Sequence, residues 1–579
     1  MLMFRKLSRI AAGALALVGA ALYAPTADAK FVFPYNHPDL DWYSIETEHF
    51  VVHYPVSKKS AEDGNDHALT GEWSARKIAQ VSEDMWEPMC AEFNYYLKER
   101  IHIVLLNQGD ELQGFTIPPW DWIEISANPG GTFYRSRGRM EWFSDVMVHE
   151  FAHVVSLKAN ASHAEGVQGV LMGGLYQDGI RDMETGVEGF IFDGDSVFWT
   201  EGGAEYWSDN TGWNWWTASR DQNIRMTVLQ DRLLSYDEWH TRSAKYGWND
   251  SERYYQQGYH FGQYLRQRFG EKTYSRFALE YGRQWRPNWE SVIEDVLGIS
   301  AEDLYWDWRE YITERYTAQA DRIRARGEVT GHELSGSYQE WEYTDPEAKD
   351  AYEGKKRYKR ETAREASGRY QWEPRVHPEG GYWGMLKRAR IYINAQDEDQ
   401  VFALTGAGMS DPARAEKARE FSTYFMADFE HGWDFVPGTE GGKQAVVLTG
   451  REDDHPRGPL QKFRGPYAEL DGYNWKELYY YEMPVREDKR GNRTVETRDR
   501  RPGIADNFFG ADRYEKGSWY AIPNTKRGAD PSVSPDGKKV AYFEYTDGTL
   551  NLVTINIDGT DKKHLTTYDD GTWFQTADW

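Results

Sequence analysis

The chain has 579 residues and a formal net charge of −25, from 93 acidic against 68 basic side chains. The length allows several folded units, and the charge argues against nucleic acid or an anionic membrane as partner, since both need clustered Lys and Arg. Aromatic residues make up 15% of the chain, too many for the acidity to read as disorder.

The chain begins MLMFRKLSRIAAGALALVGAALYAPTADAK. Arg5, Lys6 and Arg9 form a basic head, Ile10 to Tyr23 an apolar run, and Ala27-Asp28-Ala29 puts small residues at the two positions a signal peptidase reads. The run is short for a bilayer span. Residues 1–29 are therefore predicted to be a signal peptide, and the protein to be exported, to the periplasm or outside the cell, with no membrane span after cleavage. The single cysteine, Cys90, can form no internal disulfide and is expected to be a buried small apolar residue.

His49 to Tyr54, HFVVHY, has strand composition, and a helical pattern runs on to about Lys98. IHIVLLN, from Ile101, is an apolar β-rich run. GFTIPPW reads as a Gly/Pro turn, and WIEISA, from Trp122, as a half-exposed strand that can serve as the sheet edge for an extended substrate. Helical patterns cover Asp145 to Lys158 and, later, Gly258 to about Ala325. Residues 40–325 thus read as one α+β domain, strands first and helices after. Residues 326–370 are charged, with little apolar periodicity, and read as a linker or an irregular first blade.

Residues 371–579 are β-rich. DPSVSPDGKKVAYFEY, from Asp530, and LNLVTINIDGTDKKHLTTYDDG, from Leu550, alternate strands with Asp-Gly turns, a meander of antiparallel hairpins. Fainter versions begin at Glu373 and Trp433. A repeated four-strand unit predicts a β-propeller. Trp579 stands where the next repeat should open, so the propeller is expected to be incomplete: the chain is a fragment of a longer protein, or the ring closes with another chain. The plainer alternative is a short sheet with a capped last strand.

The chemistry centres on DVMVHEFAHVVSLK, Asp145 to Lys158. An H-E-x-x-H by chance is expected in only a few per cent of chains with this length and these 15 histidines. Val146, Met147, Val148, Phe151, Ala152, Val154 and Val155 surround the motif, so the helix is apolar on most sides and buried. Two histidines and a glutamate there cost free energy unless paired or bound to metal. Positions four apart nearly eclipse on a helix, so His149 and His153 can share one ion, while Glu150 lies beside them and can reach a water at the open position. A third ligand is needed. In VFWTEGGAEYWSDN, Glu201 can complete a His2Glu set, and Glu205, one turn on, can accept the free N–H of a ligating imidazole. Two acids answering a helix dipole are the plainer alternative.

H-E-F-A-H followed by W-x-E-G-x-A-E-Y resembles the gluzincin clan of zinc metallopeptidases, in its peptidase MA-like branch. The resemblance takes in the strand from His49, the apolar strand from Ile101 and the zinc helix, in that order. It implies Zn2+ at His149, His153 and Glu201, Glu150 as general base, and a peptide or protein substrate. The clan usually stabilises the oxyanion with a Tyr or His from a later helix. In RYYQQGYHFGQYL the candidates are Tyr254, Tyr255, Tyr259 and His260, with Tyr259 preferred. The interval from His153 to Glu201 departs from the pattern: it is long and glycine-rich, and GVQGVLMGGLYQDG within it can form a flap. The SPDG stretch at Ser534 to Gly537, with Lys538, Ala541 and Tyr542, and the closing Ile557-Asp558-Gly559 with Leu565 and Thr566, resemble the TolB-type propeller repeat, which implies a surface for a protein partner. The expected fold is thus an α+β zinc-peptidase domain followed by an incomplete TolB-like propeller. The rival reading is a non-catalytic propeller scaffold that keeps a peptidase fold. DGD at 193–195 and GWNWW at 212–216 read as a polar turn and core packing.

Overall fold

In the computed structural model, described residues are 40–57, 71–107, 114–117, 121–127, 142–163, 197–213, 216–240, 252–284 and 289–327, then strand segments from 371 on, nearly continuous from 519 to 579. The signal segment, the linker at 328–370, the glycine-rich 166–179 and the DGD at 193–195 lie outside them. The fold is mixed, with helices and several small sheets.

The N-terminal sheet holds β1 (Leu40–Glu46), β2 (Phe50–Ser57), β3 (Ile101–Leu106), β4 (Gly114–Ile117) and β5 (Trp122–Ser126), in the order β1-β2-β3-β5-β4. β2, β3 and β5 run parallel, with Phe50 opposite Ile101 and Ile103 opposite Ile123. β1 and β4 are antiparallel edges. Alternation puts Phe50 and Val52, Ile101, Ile103 and Leu105, and Ile123 and Ile125 on one face. That face is buried in the main core, against α1 (Glu72–Phe93) and α2 (Trp142–Ser162). Phe50 of β2, Trp86 of α1 and Phe151 of α2 meet edge to face or stacked, with centroids 5.4–5.8 Å apart.

This arrangement corrects two expectations. GFTI is a strand, and WIEIS is an interior one. Pairing of Phe115 with Glu124 and Thr116 with Ile123 covers the side of β5 that was expected to be open, so β4 is the edge.

α3 (Val197–Asn210), α4 (Ala218–Leu229), α5 (Glu252–Phe269), α6 (Thr273–Arg283), α7 (Trp289–Leu297) and α8 (Ala301–Ala325) complete this part. Thr217 caps α4 through Arg220 N, and Ser300 caps α8 through Asp303 N. α3 and α5 cross almost backbone to backbone: a methyl on Gly202 would stand 2.4 Å from Gly258 Cα, and one on Gly258 would stand 2.6 Å from Phe198 O. Only glycine permits that approach. Cys90 is buried, and burial pushes its thiol up to about 12, as fits an inert core residue.

Three four-stranded antiparallel meanders follow. They are β6 (Gln371–Val376) to β9 (Glu420–Ser422), by way of β7 (Tyr382–Arg388) and β8 (Gln400–Gly406); then β10 (Trp433–Val436), β11 (Ala445–Arg451), β12 (Lys476–Glu482) and β16 (Trp519–Ala521); then β17 (Gly528–Val533), β18 (Lys539–Thr546), β19 (Thr549–Asn556) and β20 (Lys563–His564). β13 (Val485–Glu487), β14 (Arg493–Val495) and β15 (Arg513–Glu515) form a three-stranded sheet inserted between β12 and β16. The SPDG turn works as its chemistry requires. Gly537 takes φ 70°, Ser534 Oγ donates to Asp536 Oδ1 (2.7 Å), and Lys539 N donates back to Ser534 Oγ (2.9 Å). The second and third meanders pack through Val436, Val447 and Leu478 against Val533, Val540 and Val553, and Val533 N donates to Asp434 Oδ2 at 2.8 Å.

The tip of the β18–β19 hairpin is tied to the helical part. α1 has no capping side chain of its own at Gly71. Asp547 supplies one from 474 positions away: Trp73 N donates to its Oδ2 (2.9 Å), and Ser74 N and Oγ donate to its Oδ1 (3.2 and 2.7 Å). Tyr545 Oη donates to Ala127 O at the end of β5, at 2.6 Å. Among the described residues, no helix is long and apolar enough to cross a membrane.

Candidate metal centre

α2 is largely buried because apolar residues occupy most of its sides, and His149 and His153, four apart on it, point to one place. There His149 Nε2 and His153 Nε2 stand 3.1 Å apart, and Glu201 Oε2 of α3 lies 2.9 Å from the first and 3.1 Å from the second. Among the described residues, this is the one group of three His, Cys, Asp or Glu side chains placed to hold a metal ion. A tetrahedral zinc with bonds of about 2.0–2.1 Å keeps its ligand atoms about 3.3–3.4 Å apart. The observed triangle is slightly tighter and still leaves a point at bonding distance from all three atoms. Two imidazole nitrogens and a carboxylate oxygen converging in this way are lone-pair donors to a cation. Burial alone would raise the Glu201 carboxyl; the charge of His153 and hydrogen bonds with both rings outweigh it and hold the group far below the usual carboxylate range.

Glu150 is buried beside this triangle, next to the sheet edge. A methyl placed on Gly114 of β4 would stand 2.8 Å from Glu150 Oε1 and 2.3 Å from Val146 Cγ2. The edge strand therefore runs directly over the glutamate, and its glycine leaves the carboxylate room.

Glu205 is 2% exposed and lies on the expected side of the site, with Oε1 3.5 Å from His149 Nδ1. That is longer than an ordinary N–H···O bond. His149 Nδ1 is buried and makes no closer hydrogen bond. The other oxygen, Oε2, accepts from Arg220 Nη2 at 2.5 Å. Arg220 was not singled out in the sequence, where one arginine on a charged helix carries no signal.

Tyr259, the preferred candidate, lies in the main core. Its ring is wholly buried, stacked on Trp216 (5.3 Å) and covered by the Arg220 guanidinium (4.7 Å), and its hydroxyl is raised by burial and by neighbouring Asp209. Tyr255, one turn earlier on α5, is half-buried and stacks on His149 with centroids 6.0 Å apart. The two tyrosines share a helix face, so periodicity could not choose between them. The Gly202–Gly258 crossing fixes how α5 lies against α3, the helix that carries Glu201. Tyr254 is buried, and His260 accepts from Trp308 Nε1 (3.1 Å), with burial lowering its pKa to about 3. Trp213 and Trp216 pack against the core, as expected of the Trp-rich loop.

Comparison with protein-family models and with curated proteins gives no match.

Proposed function

We propose that this protein is an exported zinc-dependent metallopeptidase of gluzincin type, with a propeller-like C-terminal part that serves recognition. The observation that carries this reading is the convergence of His149, His153 and Glu201 beside a buried Glu150 that belongs to the same helix but not to the ligand triangle. A scaffold with a dead site has no need of that glutamate.

His149, His153 and Glu201 would hold the zinc, which would supply Lewis acidity towards the scissile carbonyl and an attacking water. The chain's own residues do the rest. Glu150 takes the proton from that water and passes it to the leaving amine nitrogen. Tyr255 is the proposed donor to the developing oxyanion, in place of Tyr259; the support is its half-buried ring stacked on that of His149. An extended peptide would pair with β4, the outer strand of the sheet among the described residues, which would hold the scissile bond near Glu150. The three four-stranded meanders support the propeller assignment, since each matches one blade unit.

The test is hydrolysis of an unfolded, fluorescently labelled protein. Cleavage should stop on chelation, return with stoichiometric Zn2+, and be absent from Glu150→Gln. Cleavage that survives chelation, or a metal-loaded wild type that cleaves no unfolded substrate, would rule this function out.

A further inference from the structure

We infer that Arg220 is a positioning residue for the metal centre, acting through Glu205 on the ring of His149. The inference rests on the metal reading above and concerns how the ligand is held. Glu205 divides its two oxygens: Oε1 faces His149 Nδ1 at 3.5 Å, and Oε2 is gripped by Arg220 Nη2 at 2.5 Å. Both side chains are 2% exposed, so water does not compete for either oxygen.

Arg220 is itself fixed. Its backbone N–H is bonded to Thr217 Oγ1 at the start of α4. Its guanidinium lies over the face of Tyr259, whose other neighbour is the Trp216 ring. A planar guanidinium suits this place: it stacks flat on a ring while directing one N–H at a carboxylate, which a lysine ammonium cannot do. The chain of contacts runs from α2 through α3 to α4 and α5, so the orientation of His149 is set by three other helices. Charge fits as well. The Arg220 guanidinium stands between two carboxylates, Glu205, which it contacts directly, and Asp209, beside Tyr259. The charge that Glu205 brings to the site is thus answered by Arg220.

Deleting the guanidinium would change charge and geometry together, so the test keeps the charge. Zn2+ affinity is measured by chelator competition for wild type, Arg220→Lys, Glu205→Ala and the double variant, and the ligand-field spectrum of each Co2+-loaded protein is recorded. Partners of metal-ligating histidines are typically worth about 10–100-fold in affinity. Arg220→Lys should lose about 10-fold and shift the Co2+ bands, and in the Glu205→Ala background it should change neither, because its effect passes through Glu205. Wild-type affinity and spectrum in Arg220→Lys, or losses that multiply in the double variant, would overturn the inference while leaving the metal reading intact. A wild type that binds no Zn2+ would overturn both. If Arg220→Lys does not fold, Glu205→Gln with Arg220→Met removes both charges at similar volume. It should fold and bind Zn2+ about 10-fold more weakly; undiminished affinity there would overturn the inference.

Discussion

Gly114→Ala is the smallest change that should separate metal binding from turnover. The added methyl would meet Val146 Cγ2 at 2.3 Å and Glu150 Oε1 at 2.8 Å. Ordinary contact is about 3.5–4.0 Å, so something must move by about 1 Å. Val146 belongs to a helix packed into the main core and cannot yield. The movable parts are the Glu150 carboxylate and the four-residue edge strand β4. Either shift spoils the geometry proposed for catalysis, one by displacing the base and the other by lifting the substrate's pairing edge. A misplacement of 1 Å costs about 100-fold in rate. Overpacking adds about 1–3 kcal/mol of instability. The atoms nearest the added methyl belong to Val146 and Glu150 and not to the three ligands, so zinc content should stay at the wild-type level. The assay is kcat/KM on an unfolded labelled protein, with metal content measured on the same samples. Wild-type kcat/KM in Gly114→Ala would refute the placement of the edge strand over the base.

Tyr255→Phe should lower kcat by about 100-fold with little effect on zinc affinity, as expected for an oxyanion donor, while Tyr259→Phe should act mainly on thermal stability; steady-state kinetics and thermal melts of both variants check the assignment. Asp547→Ala removes the acid that caps α1 and should cost about 1–2 kcal/mol in urea unfolding without changing metal content; an unchanged midpoint would contradict the cap. His260 takes its proton near 6.5 when unfolded but only at about 3 when folded. The unfolded state therefore gains protons first, and stability falls as pH drops from 6.5 towards 3, by about 2 kcal/mol at pH 5 from this group. His260→Gln should flatten that part of the stability–pH curve, and an identical slope would show that His260 does not set it.

Much of the site was legible because it rests on short-range geometry. His149 and His153 must share a helix face at a spacing of four, and apolar neighbours on all sides announce burial. Glu201 was legible only as a partner type, since nothing in the sequence fixes how α3 approaches α2; the glycine pair Gly202 and Gly258 was visible, but not that the two would touch. The edge strand was misread because GFTI is four residues long and runs into two prolines, which looks like a turn until β5 is there to pair with it. Asp547 and Arg220 were invisible for another reason: Asp547 acts on a partner 474 positions away, Arg220 on Glu205 of a different helix, and neither belongs to a motif. The Asp-Gly turns of the C-terminal meanders were readable because each turn carries its own chemistry locally.

The central claim is most directly tested by metal analysis of the purified protein beside Glu201→Ala and Glu150→Gln. One zinc per chain is predicted for wild type and for Glu150→Gln, with the metal lost or greatly weakened in Glu201→Ala. A metal-free wild type, or zinc held as tightly without the Glu201 carboxylate, would contradict the account.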